Sequence, residues 1–509
     1  MTLSVFEPLR MHSVRLPSIS VQNWLRLGAL LVLLGLSMGL LGQTTYYSSR
    51  TDSTELLGGG AWTNTNSWTQ DPAGAIFIGI NIPTRGPGIF LGETESAAEG
   101  FRNDRVVILG GTTVILDANN LRLDNLGQIE VRADGRLLLR TNSGHLITLL
   151  DGEGTIALEA TGAGTFTLPT VTTNNFILAT GGTYEFGGNT NNGDIPNPVA
   201  GTAADYNNVR ITGSRLHTLA SSASNYVLNG NLTIDSTAGL RITNTAAKTV
   251  TVNGNVTVTS TRSALNDGAF IVEQGGTDNL DHTLNVVGNF TTSGKILFTN
   301  EGVTGNAART RRVQLRFTNT LADQTFQTTG ATTEVRLYDI GIAKGTDDTY
   351  ILDVLNTNAS PNWALLGPNS AGHSGTDTGT QDNLGTTLVE LAGGTARFGS
   401  SCNFQLKSTG GGNYNIPEGS ALWISGANVT ATGAEAIVVY GRFQIDGVRP
   451  TQGGHQAVHI CGHAGIVEME GADDVDHGVG AACAPAIAPG IGHPLGCRLQ
   501  GVQAGCVQR

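Results

Sequence analysis

Charge is what this chain has least of. Only 14% of its 509 residues are charged, and lysine occurs four times, at Lys248, Lys295, Lys344 and Lys407. Helical enzymes cover their surfaces with Lys, Glu and Ala, so that class is excluded, as is a charged disordered tail. The net charge of −12 argues against wrapping nucleic acid or lying on an anionic membrane, because both need a basic surface, and no nucleic-acid partner is expected. Helical periodicity is missing too: beyond residue 42 no stretch places apolar residues at spacings of three and four. Cysteine is scarce, with Cys402 alone in the body and the other four between Cys461 and Cys506. What remains is rich in Thr, Val, Asn and 70 Gly residues, the types that suit strands and tight turns.

The amino terminus departs from this pattern. Arg15 and Arg26 precede an apolar run from Leu27 to Leu41, and the chain turns polar at once in Gln43, Thr44, Thr45, Tyr46 and Tyr47. The run is shorter than the roughly 20 residues a membrane-crossing helix needs. Residues 1–42 are therefore read as a signal peptide cleaved near Gly42, with Met11 an alternative start and an uncleaved anchor the competing reading. Export follows, with no stable membrane span after leader cleavage and with disulfides permitted.

Self-similarity is clearest in three segments: LNGNLTI at Leu228 to Ile234, VNGNVTV at Val252 to Val258, and VVGNFTT at Val286 to Thr292. Their central glycines, Gly230, Gly254 and Gly288, are 24 and 34 residues apart, which fits one coil of a solenoid with an insertion. In the second copy Val250, Val252, Val256 and Val258 share one parity, while Thr251, Asn253, Asn255, Thr257 and Thr259 take the other. Side chains alternate across a strand, so the valines line a core and the Thr and Asn residues face outward. Leu228, Leu232 and Ile234 repeat the choice, as do Leu284, Val286 and Phe290. Gly254 is expected at a bend without room for a side chain, its flanking Asn residues tolerating left-handed backbone and bonding to their own turn. One such unit cannot bury its apolar face, whereas stacked units can. The predicted fold is all-β, a parallel β-helix or β-solenoid with additional β-rich segments; an antiparallel sandwich, which also alternates with period two, is the competitor.

The organisation expected along the chain is a signal peptide (1–42), an amino-terminal β-rich region (43–100), β-solenoid repeats (101–300), an irregular β-rich region (301–400), a second β-helical segment (401–448) and an atypical tail (449–509). VVILGGTTVIL at Val106 to Leu116 reads as two strands around Gly110 and Gly111, continued at Ile129 to Leu139. The tail holds five of the ten His and four of the five Cys residues within the last 55 positions. It is either a different domain or an out-of-frame continuation. The strand pattern stopping in mid-repeat without a cap points to the second.

Candidate chemistry is sparse. His455, His459, Cys461 and His463, with Cys483 and Cys497 beyond, are residue types zinc accepts, but the spacing matches no ligand pattern and paired Cys-x-x-Cys units are absent. Gly372, His373, Ser374 and Gly375 begin like a nucleophile elbow, yet Thr376 stands where the last glycine belongs and both flanks read as loop. Asp347 with Asp348, and Asp281 beside His282, are the available carboxylate clusters for polysaccharide chemistry. Strand neighbours point to opposite faces, so neither pair converges on one sugar by itself. No catalytic, cofactor-binding or metal-binding residue is assigned, and no cofactor is expected.

GGTYEFGG at Gly181 to Gly188, YNNVRITG at Tyr206 to Gly213 and the NGN repeats resemble the repeats of large exported surface proteins of Bacteroidota. AWTNTNSWTQD near Trp62 looks like their amino-terminal opening, and IPEGSALWISGANVTATGAEAIVVYGRFQIDG resembles their β-helical repeats. The resemblance covers roughly Gln43 to Gly447. It implies secretion to the outer cell surface, in many such proteins by the type IX pathway, although no sorting domain of that pathway is recognisable here. VVILGGTTVILD is also similar to the start of a G8 domain, a β module of exported proteins. The expected function is structural or adhesive. The expected partners are the export machinery and an extracellular polysaccharide or a neighbouring cell surface. A polysaccharide lyase or glycoside hydrolase on the same scaffold is the alternative.

Overall fold

The structure, a computed structural model, describes residues 45–48, 59–61, 68–69, most of 102–446 (the longest exception being 366–388), 460–462 and 466–470. The chain forms two units, Met1–Thr45 and Tyr46–Arg509. Of the first only Thr45 is described, so the leader lies outside the described residues.

Alternation fixes how the second unit is built. In Thr249–Val252 and Val256–Val258 the four valines are buried and the threonines between them are only partly covered. Thr249–Val252 lies between Asn225–Leu228 and Leu280–Val286, and Val256–Val258 lies between Leu232–Ile234 and Phe290–Thr292. A third strand of each coil, Gly239–Ile242, then Phe270–Val272, then Ile296–Leu297, stacks in the same way. All these pairings are parallel, which excludes the antiparallel sandwich. Each coil gives one strand to each of three faces, and equivalent residues sit over one another: Leu228, Val252, Val286 and Phe317 form one inward column. The fold is an all-β parallel β-helix. Among the described residues one face is a sheet of fifteen strands and another a sheet of ten, and helical structure is limited to the 3-10 turn Asn175–Ile177.

Among the described residues after Asn300 the strands keep their place in the ladder. Gln324–Thr328, Ile351–Asn356, Gly394–Phe398 and Ser420–Ser425 continue the long sheet in parallel register. The ladder does not end at residue 448. Ile460–Gly462 pairs with Ile437–Val439, and Ile466–Glu470 pairs with Arg442–Asp446 over five positions. The change in composition at Arg449 is thus not a boundary of strand stacking, because IVEME still offers an alternating, partly β-branched strand.

The corner between two faces explains the NGN signature, and differs from the expectation. Gly254 has no left-handed backbone; the reason for glycine is close approach. A Cβ on Gly254 would lie 2.6 Å from the carbonyl of Gly230, and one on Gly288 would lie 2.3 Å from the carbonyl oxygen of Gly254. Nor do the asparagines close their own turns. Asn208, Asn231, Asn255 and Asn289 each accept, at 2.8 Å, the backbone N–H of Asn231, Asn255, Asn289 and Thr325 respectively. The side chains therefore form a ladder parallel to the backbone ladder. Asn255→Ala leaves the N–H of Asn289 to water and is expected to cost about 1 kcal/mol, the net worth of one hydrogen bond. A comparison of guanidinium midpoints with the wild type measures it.

Deeper in the same corner, Gln324 Nε2 donates to the carbonyls of Val286, Val287 and Gly288. Its Oε1 accepts from Lys344 Nζ at 2.9 Å, and that ammonium also donates to the carbonyls of Asn319 and Ala322. One buried amide and one buried ammonium thus satisfy five carbonyls where the coil lengthens, as buried polar backbone requires.

Candidate functional site

The sequence candidates are not brought together. Asp281 and His282 are neighbours on a strand and face opposite ways. Asp281 points outward and ion-pairs with Arg312, whereas His282 is wholly buried and accepts the backbone N–H of Lys248 on Nδ1 at 3.1 Å. The side-chain hydroxyl of Thr349, and then its backbone N–H at 3.0 Å, hydrogen-bond to Asp347 and hold its carboxyl below the usual range, while Asp348 pairs with Arg442 at 3.1 Å. Gly372 to Gly375, His455, His459, His463, Cys483 and Cys497 lie outside the described residues, as does the side chain of Cys461. Among the described residues no group of three His, Cys, Asp or Glu could hold a metal ion. Cys402 is buried, and burial pushes its thiol up to about 12, so it is inert as a nucleophile.

The outward face of the long sheet carries the most regular chemistry. Over four coils Thr233, Thr257, Thr291 and Gln327 form a central column. Asn231, Asn255, Asn289 and Thr325 flank it on one side, with Asp235, Thr259, Ser293 and Thr329 on the other. The inward partners are Leu232, Ile234, Val256, Val258, Phe290 and Phe326, all buried. Because the backbone sets the spacing, these hydroxyls and amides repeat at roughly 4.8 Å between coils and about 6.8 Å along a strand.

Charge borders this platform. On the amino-terminal side Glu185 takes Arg136 at 2.8 Å and Arg210 at 3.4 Å, and Arg210 also holds Asp235 at 2.7 Å. On the carboxy-terminal side Arg397 engages both oxygens of Asp353 and lies 4.7 Å over the ring of Trp423, whose Nε1 donates to Asp446. These carboxylates are occupied by arginine or indole donors rather than left to act on a ligand.

A second charged group lies on a neighbouring face. Arg316 crosses Gly341, where a Cβ would meet its Cδ at 2.2 Å, and reaches Asp339 with two nitrogens, at 2.8 and 3.2 Å, and Glu390 at 2.9 Å. Burial pushes the Asp339 carboxyl up to about 6 against the pull of Arg316. A carboxyl near pH 6 has the proton affinity of a general acid, but the guanidinium stands between the two carboxylates where a glycosidic oxygen would have to enter. Arg312 repeats the arrangement with Asp281 and with Tyr338, its Nη1 3.0 Å from the phenol oxygen. Sequence reasoning missed these partners because 23 or more residues separate them, and the only signal was their outward parity.

No family model matches the chain, and neither a characterised protein nor a solved structure matches it. Among the described residues no helix is long and apolar enough to cross a membrane.

Proposed function

We propose that the chain is an exported, cell-surface structural or adhesive repeat protein whose outward Asn/Thr platform offers hydrogen bonds to glycans. The observation that supports this reading best is the platform itself: four coils of mostly hydroxyl and amide side chains held at a fixed spacing, with Asp235 its one charged member and held by Arg210. Repetition gives an extended contact surface rather than one pocket. The paired carboxylates speak against catalysis, which needs an acid and a base free to exchange protons with a substrate. Export is supported by the basic residues before a short apolar run in residues 1–42.

The test is to incubate the full chain with a panel of polysaccharides and read both retention and the release of reducing ends. Retention without release is the expected outcome. Release that disappears in Asp339→Asn would replace the scaffold with a polysaccharide-degrading enzyme, and the absence of both would reduce the role to a passive spacer.

A further inference from the structure

The interior of the solenoid holds a group of basic side chains. Lys248, His282 and Arg311 come from three successive coils on one face and share the inward parity of Val250, Leu284 and Val313. Each is almost wholly inaccessible, Arg311 being 2% exposed and His282 0%. The strand register sets Lys248 opposite His282 and Arg311 opposite Leu280, two residues along the same strand from His282, so the three inward side chains are neighbours. Thr299 adjoins them, its backbone bridged to Arg312 and flanked by the hydrogen bonds from Asn300 N–H to the Arg311 carbonyl and from Val313 N–H to the Phe298 carbonyl.

The orphaned nitrogens at this corner are of one kind. Arg311 Nε and Nη1 and His282 Nε2 are buried without a hydrogen-bond partner, as is the hydroxyl of Thr299. Because His282 Nδ1 accepts the Lys248 N–H, the neutral ring carries its proton on Nε2. The three nitrogens are therefore donors, and what they lack is an acceptor. Arg311 cannot shed its charge, and among the described residues it makes no ion pair; Asp281, the carboxylate beside His282, lies on the outer face and is held by Arg312. A buried, uncompensated guanidinium with unmet donors is strongly unfavourable. Water would satisfy the donors but not the charge. An oxyanion satisfies both.

We propose that this corner binds one small oxyanion, of the sulfate, phosphate or carboxylate class, through Arg311 Nε and Nη1 and His282 Nε2. The site is distinct from the Asn/Thr platform, and it ties two successive coils together from the inside by a bond that exists only when the anion is present.

The experiment uses the full chain, with thermal unfolding followed while sodium chloride is replaced by sodium sulfate, and in a second arm by sodium acetate, at constant ionic strength. Sulfate stabilises folded proteins in general, so the informative quantity is a saturable rise in Tm present in the wild type and lost in Arg311→Met. The two arms separate a tetrahedral from a carboxylate ligand. Equal anion dependence in both proteins would overturn the proposal. If Arg311→Met does not fold, the anion content of exhaustively desalted wild-type protein, released by denaturation and measured by ion chromatography, decides instead. About one equivalent per chain is expected, and no bound anion would overturn the assignment.

Discussion

Val252→Asp should unfold the protein or lower its stability by more than about 4 kcal/mol, because it places an unpaired charge where nothing can solvate it. Val252 is 0% exposed and sits between Leu228 and Val286 in an inward column, so a carboxylate there meets only hydrocarbon above and below. Thr251→Asp, one residue away, should change stability by no more than about 1 kcal/mol. Its side chain faces outward, where the loss is the 3.3 Å hydrogen bond from Asn285 Nδ2. Guanidinium midpoints of the two variants measure the contrast. Equal losses would contradict the assignment of faces on which the whole solenoid rests.

Acidification should weaken the fold well before the carboxylates as a class are protonated. His217 and His282 are both buried, and burial lowers each to about 4. His217 accepts the N–H of Gly193 at 3.1 Å beside the ring of Phe166, with Arg262 further disfavouring its charge. His282 has Lys248 and Arg311 against its charged form and Asp281 in favour of it. A folded pKa depressed below the unfolded value of about 6.5 means that the unfolded chain binds more protons in that interval. Stability is then full above pH 6.5 and falls as the pH drops towards 4, by roughly 3 kcal/mol for each histidine. Asp339 acts in the opposite sense: its carboxyl, raised to about 6, favours the folded state as the pH drops through 6 towards 3.8 and offsets about one histidine. The net expectation is a loss of about 3 kcal/mol between pH 7 and pH 4. In the double variant His217→Gln, His282→Gln the dependence over this range should reverse, leaving the Asp339 contribution. Urea midpoints at four or five pH values would show it, and an unchanged slope in the double variant would assign the acid sensitivity to other groups.

Much of this architecture was legible from parity. The shared positions of Val250, Val252, Val256 and Val258, echoed 24 residues earlier and 34 later, were enough to select inward and outward faces, and the structure buries all four. What parity could not supply was the neighbour above and below. Asn255 looked like a turn residue because its local sequence is that of a turn, yet its oxygen serves a backbone 34 residues further on. The stretch from 301 to 400 read as irregular because insertions break the spacing, while the strands within it keep their place in the ladder. Charged partners such as Arg316, Asp339 and Glu390 were invisible for the same reason. Each lies on a different coil, and nothing local to one announces the others.

The coil itself implies a mechanical behaviour under tension. The asparagine ladder joins positions 23, 24, 34 and 36 residues apart, and each of these steps advances the axis by only one strand spacing, roughly 4.8 Å. A fully extended chain of 24 residues measures about 80 Å, and one of 36 about 120 Å. Under tension along the axis, a coil that gives way therefore releases well over ten times the length it occupied, while its neighbours stay closed. Pulled suddenly from its ends, such a solenoid yields in steps, lengthening coil by coil and dissipating work at each rupture.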